Sequence, residues 1–90
     1  MYTKTVTIIN KSGLHARPAS DFVVAAKKFT SKITIRKNPD GASVNAKSIV
    51  MLLGEGLSKG TIIDLSADGA DETEAVDSLA RFIEEGCGEE

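Results

Sequence analysis

The stretch Lys4-Thr5-Val6-Thr7-Ile8-Ile9-Asn10-Lys11-Ser12-Gly13-Leu14-His15-Ala16-Arg17-Pro18-Ala19-Ser20-Asp21-Phe22-Val23 changes its hydrophobic period partway along, and that change decides the fold. Up to Ile9 the period is two, with Val6 and Ile8 on one face and Thr5 and Thr7 on the other, as in a half-buried strand over Lys4 to Ile9. Asn10 to Gly13 ends it. Beyond the break, Ala19, Phe22, Val23, Ala26 and Phe29 recur every three or four residues, and Asp21, Lys27 and Lys28 are left for solvent. The spacing predicts an amphipathic helix from Arg17 to Phe29. Pro18 fits only the first turn, where a missing N–H costs nothing, so the helix starts at His15 or Ala16.

Five further segments follow. Ile33 to Lys37 and Ala42 to Asn45 flank the turn sequence Asn38-Pro39-Asp40-Gly41 and read as a hairpin. Ser48 to Leu53 is a short apolar run behind a good N-cap residue, and Gly54, Glu55 and Gly56 stop it after one or two helical turns. Thr61 to Ala67 alternates, with Ile63, Leu65 and Ala67 inward and Ile62 left partly outside. Asp71 to Glu85 places Ala75, Val76, Leu79, Phe82 and Ile83 on one stripe; Asp71 and Glu74 have capping-box spacing, and Gly86 closes the helix. The order βαββαβα, with one apolar face per element, predicts an α+β fold: a four-stranded antiparallel sheet with three helices on one face.

Ninety residues are too few for two independent cores, so residues 1–90 are expected to form one domain. A 41% hydrophobic fraction suffices for a core, and no apolar run approaches the roughly 20 residues of a membrane span. The N-terminus has no secretory apolar run, and the one cysteine, Cys87, has no partner for an internal disulfide; a cytoplasmic location is expected. Cys87 stands in Gly86-Cys87-Gly88-Glu89-Glu90 without a second thiol or a histidine nearby, and reads as a tail thiol rather than a metal ligand. No cofactor or metal is expected. The net charge of -2 argues against nucleic acid as the main partner. It conceals an asymmetry: residues 1–60 carry ten Lys/Arg against three Asp/Glu, and residues 61–90 carry one against ten. Such a chain can present a basic face to an acidic partner.

The chemistry centres on His15, the only histidine. A helix start leaves backbone N–H groups unpaired at the positive end of the dipole, an anion site beside the imidazole. The same field leaves a ring nitrogen available as a nucleophile. Arg17, two residues on, can fork onto phosphate oxygens. There is no Walker loop, no acidic metal cluster and no carboxylate base beside His15. The set can hold a phosphoryl group but cannot activate ATP. By position alone, His15 also fits a helix cap or a surface residue.

Gly13-Leu14-His15-Ala16-Arg17-Pro18-Ala19-Ser20 resembles the active-site motif of the HPr family, the histidine phosphocarriers of the bacterial phosphoenolpyruvate-dependent sugar phosphotransferase system. Asn45-Ala46-Lys47-Ser48-Ile49-Val50 resembles the family's regulatory serine region, and Gly60 to Glu72 its last strand and turn. The resemblance spans essentially the whole chain. It implies an open-faced β-sandwich with strand order 1-4-2-3, and a phosphoryl carrier rather than an independent enzyme. By position, His15 would accept the phosphoryl group on Nδ1 from Enzyme I and pass it to the IIA domains of sugar transporters, with Arg17 steadying it.

Ser48 would match the serine modified by HPr kinase/phosphorylase, which brings in a catabolite-control transcription factor as a further partner. Ile49, Val50 and Leu53 would form the apolar docking patch, and Ser20 a contact on the helix face. Ser20 also reads as a solvated hydroxyl, and Ser48 as an N-cap. A monomer is expected, with neither direct nucleic-acid binding nor membrane insertion. A carrier of a regulatory, nitrogen-linked branch, or a non-catalytic interaction module, are the alternatives. Two departures stand out: the turn around Pro39 is about two residues longer than in many relatives, in a place where loops tolerate insertion, and Glu55 replaces a usually apolar residue.

Overall fold

The computed structural model describes residues 1–38 and 40–87. The elements run β1 (Tyr2–Thr7), α1 (Ala16–Ala26), β2 (Lys32–Lys37), β3 (Val44–Asn45), α2 (Ile49–Gly54), β4 (Ile62–Asp68) and α3 (Glu72–Glu84). The strands form one antiparallel sheet in the order β1-β4-β2-β3. Element order and strand order both match expectation. The hairpin expectation includes Pro39, which lies outside the described residues; on either side of it β2 and β3 pair through Thr34 with Asn45 and Ile35 with Val44.

The inward alternation is as read: Val6, Ile8, Ile33, Ile35, Val44, Ile63, Leu65 and Ala67 are buried. Against them pack Phe22, Val23 and Ala26 of α1, Leu52 of α2, and Val76, Leu79 and Ile83 of α3. Phe22 meets Phe82 with ring centroids 6.2 Å apart and planes tilted at 52°, a favourable edge-inclined arrangement. Ile62 is exposed on the open face, as expected from its parity. There Asp64 accepts hydrogen bonds from Thr5 (2.7 Å), Asn38 (3.1 Å) and Arg36 (2.6 Å). The hydroxyl of Thr5 and the amide of Asn38, more than the guanidinium of Arg36, hold its carboxyl below the usual range.

Several boundaries and contacts correct the sequence reading. β1 begins at Tyr2 rather than Lys4, because Tyr2 and Thr3 already pair with Ala67 and Ser66. Ile8 continues the ladder through bonds to Thr61 (2.9 Å) and Gly60 (2.7 Å), whereas Ile9 turns out to solvent. α1 stops at Ala26; the chain reaches Phe29 through tight turns in which Lys28 and Phe29 donate to Ala25 and Ala26. Asp71 forms no capping box with Glu74. Its side chain makes no cap bond, and the reciprocal pair lies elsewhere: Gly69 N–H donates to Glu72 Oε1 (3.1 Å), and Glu72 N–H to the Gly69 carbonyl (3.3 Å).

Cys87 is not a tail thiol. It is buried, because α3 ends in a Schellman motif: Gly86 has φ +85°, its N–H donates to Ile83, and Cys87 N–H reaches back to Phe82 (2.9 Å). That geometry turns the residue after the glycine onto the helix's apolar side. The residues after Cys87 lie outside the described set. The charge asymmetry is partly consumed within the molecule, where Arg36 pairs with Asp64 (2.6 Å), Lys4 with Asp77 (3.0 Å) and the Met1 amine with Glu72 (3.3 Å). Among the described residues no helix is long and apolar enough to cross a membrane.

Candidate functional site

The segment between β1 and α1 is held at both ends. Asn10 is buried, and its Nδ2 donates to the carbonyl of Gly13 (2.8 Å) while Gly13 N–H returns to the Asn10 carbonyl (3.1 Å), closing a tight turn. Gly13 has φ +68°, and a Cβ there would fall on the Leu57 carbonyl oxygen and within 2.8 Å of Ser58 Cα. No other residue fits so close to the α2–β4 loop. Leu14 N–H then donates to the Leu57 carbonyl (2.8 Å), and the side chains of Leu14 and Leu57 are both buried. The loop that carries His15 is thus fastened to the loop that leads into β4.

His15 is the N-cap of α1, extended at φ -131° and ψ 162°, with its imidazole making no capping hydrogen bond. His15 is half-buried rather than fully solvated. The cap reading of His15 is therefore not what its side chain does. Ala16, the first helical residue, has φ +52°, a left-handed conformation that costs a residue with a Cβ about 1–2 kcal/mol. Pro18 stands in the first turn, as its sequence position required, so that turn offers N–H groups from Ala16 and Arg17 but none from residue 18.

Arg17 is 91% exposed, and Nε lies 3.8 Å from Asp21 one turn on. Such a solvated pair holds the guanidinium loosely and leaves its fork available. Ser20 is exposed on the same helix. The structure brings His15 and Arg17 to one helix end, with Ser20 a turn further along.

Ser48 is the N-cap of α2, and its Oγ accepts the N–H of Met51 at 3.3 Å. Of the three apolar residues singled out on α2, Val50 (76%) and Leu53 (45%) face solvent, while Ile49 is partly buried and packed on the core. Only Leu52 of this short helix is fully buried, so Met51 shares the outer surface, a residue the sequence reading passed over. α2 lies against α1, whose Val24 is exposed as well. Glu55 caps the far end of α2, and its carbonyl accepts a bond from Lys37 Nζ at 3.2 Å.

Asn10, Gly13 and Leu57 are the positioning residues that sequence reasoning missed. The available signal was Asn10-x-x-Gly13 directly before the histidine motif; its partner loop is distant in sequence and left no local trace. Among the described residues no three His, Cys, Asp or Glu side chains gather to hold a metal.

The family model described as the PTS HPr component phosphorylation site matches residues 2–85. The phosphocarrier protein HPr of Haemophilus influenzae is 48% identical over 83 residues, covering 92% of this chain and 95% of the relative. The crystal structure of HPr from Thermoanaerobacter tengcongensis superposes with a TM-score of 0.93 at 48% identity, covering 100% of this chain and 99% of that one. The Bacillus subtilis catabolite repression protein Crh, crystallised as a swapped dimer, gives a TM-score of 0.74 at 45% identity, covering 94% and 95%. Fold and full-length similarity together show that this chain belongs to the HPr family of the phosphotransferase system, and HPr phosphocarrier proteins are not catalysts.

Proposed function

We propose that His15 accepts a phosphoryl group from phosphorylated Enzyme I and hands it to the IIA domains of sugar transporters. The observation that carries this reading is the placement of His15: an N-cap residue whose imidazole is not used for capping, at the N–H-rich end of α1. Nδ1 attacks phosphorus, the bond to the donor histidine breaks, and the phosphoryl group moves without hydrolysis. Arg17 neutralises charge on it in both directions of transfer.

Docking on the outer surface of α1 and α2 is part of the same proposal, with Ser20, Val50 and Leu53 as contacts and Ile49 as support beneath them. Ser48 is the regulatory position, modified by HPr kinase/phosphorylase; in that state the chain would engage a catabolite-control transcription factor. Its capping geometry supports a phosphorylated form that keeps the fold, since phosphate is favoured at a helix N-terminus. The chain is proposed to act in the cytoplasm and as a monomer; the swapped dimer of the Crh relative makes sedimentation the check on the latter.

The deciding experiment incubates the purified chain with phosphoenolpyruvate and Enzyme I, maps the acid-labile phosphate, and chases it onto a IIA domain. Phosphate on His15 that passes to IIA supports the relay. No acceptance from Enzyme I, with acceptance from the enzyme of the nitrogen-linked branch, would reassign the chain to that branch.

A further inference from the structure

Away from His15, the edge formed by β2 and β3 carries an arrangement that the phosphocarrier role does not use. Thr34 pairs with Asn45, and Lys32 of β2 and Lys47, in the turn just after β3, line one groove beside that pair. Asp68 is opposite Lys32 on its other side, yet among the described residues Lys32 makes no ion pair within 4 Å. Lys47 is fixed rather than mobile: its Nζ donates to the Phe29 carbonyl at 2.7 Å, which leaves two ammonium donors. The Asn45 side-chain oxygen accepts Lys47 N–H at 2.9 Å, leaving its NH2 group for another partner. These residues line a groove of about 500 Å³ together with Thr34 and Ser43, and no carboxylate lines it.

We propose that this groove is a binding site for a small polyol phosphomonoester. Lys32 and Lys47 take the dianionic phosphate. The hydroxyls of Thr34 and Ser43 and the amide of Asn45 take the hydroxyls of the polyol. The volume suits a hexose monophosphate, and the openness of the groove to solvent makes the affinity weak, in the millimolar range (roughly -4 kcal/mol). The proposal does not depend on phosphorylation of His15.

The test is a titration of the isotopically labelled full chain at constant ionic strength, following backbone amide shifts with glucose 6-phosphate, inorganic phosphate and glucose. Saturable shifts at residues 32–34 and 43–47 are expected, strongest for glucose 6-phosphate and absent for glucose. Lys32→Gln combined with Lys47→Gln should weaken binding about tenfold or more, the loss of two charge-assisted contacts. Lys32 is exposed, whereas Lys47 is half-buried with its Nζ on the Phe29 carbonyl, so each single variant serves as a folding control. Shifts confined to residues 15–17, or unaltered by the double substitution, overturn the site. Equal affinity for inorganic phosphate and glucose 6-phosphate overturns the role given to Thr34, Ser43 and Asn45.

Discussion

The carboxylate of Asp71, at the start of α3, accepts both the backbone N–H (2.9 Å) and the hydroxyl of Ser31, 40 residues earlier at the entry to β2. It also accepts Thr30 N–H at 2.9 Å. One side chain thereby joins the last helix to the second strand. These bonds, the Ser31 hydroxyl foremost, lower the Asp71 pKa from 3.8 to about 2.

A depressed folded-state pKa stabilises the fold above the unfolded value and loses that contribution as pH falls through the folded one. Stability should therefore decline as pH drops from about 4 towards about 2. Asp64, Glu72 and Asp77 are shifted in the same direction and add to the slope. Asp71→Asn should lower stability at neutral pH and flatten the acid limb. Denaturant titrations at a series of pH values check it; an unchanged acid limb would contradict the tether.

Gly13→Ala combines a left-handed φ with a collision at Leu57 and Ser58. It should destabilise the protein by about 2 kcal/mol or more, with slowed phosphate acceptance from the displaced His15 loop. Chemical denaturation alongside an Enzyme I transfer assay measures both, and a wild-type midpoint would show that the loop contact is dispensable.

Ala16→Gly should act oppositely. Glycine takes φ +52° without a Cβ penalty, so the substitution should leave stability unchanged or raise it by up to about 1 kcal/mol. A thermal midpoint lower than wild type would refute strain at this residue.

Arg17→Ala removes a side chain that is 91% exposed and weakly paired, so the thermal midpoint should change by about 0.5 kcal/mol equivalent or less. Transfer should slow by about tenfold or more if the guanidinium stabilises the moving phosphoryl group. Rapid-quench rates with Enzyme I and with IIA decide it; unchanged rates in both directions end that assignment.

Ser48→Ala deletes the cap bond to Met51 and should cost about 0.5–1 kcal/mol, the lower part of the usual range because the bond is long at 3.3 Å. Ser48→Asp should retain that stability. Treatment with active HPr kinase/phosphorylase and ATP separates the two roles: modification of wild type but not of Ser48→Ala supports regulation, and an unmodified wild type leaves only the cap.

The sequence shows the fold where a local pattern reports it. Val6 and Ile8, then Ile63, Leu65 and Ala67, declare their faces by alternation, and Pro18 pins the start of α1 within one residue. Strand order came from the family resemblance, because no periodicity says which strands are neighbours. The misreadings share a physical cause. Asp71 was assigned a partner three residues away, but found a better set of donors 40 residues away. Cys87 was placed in solvent because its burial depends on the hand of the turn at Gly86, and the pairing of Leu14 with Leu57 is equally a tertiary event. His15, Arg17 and the cap at Ser48 were legible because a helix terminus is written in adjacent residues.

The dependence of the His15 loop on Leu57 has a consequence for how the protein is made. Synthesis runs from the N-terminus, so the histidine motif leaves the ribosome well before Leu57, and β1 waits still longer for its strand partner, β4. A growing chain that has displayed the motif has neither the clasp at Leu14 nor the ladder behind it. Competence to carry phosphate is thus a late acquisition of the nascent chain, and truncated products ending before β4 should be poor phosphate acceptors. Premature termination would then yield fragments that bear the His15 segment without the clasp that positions it.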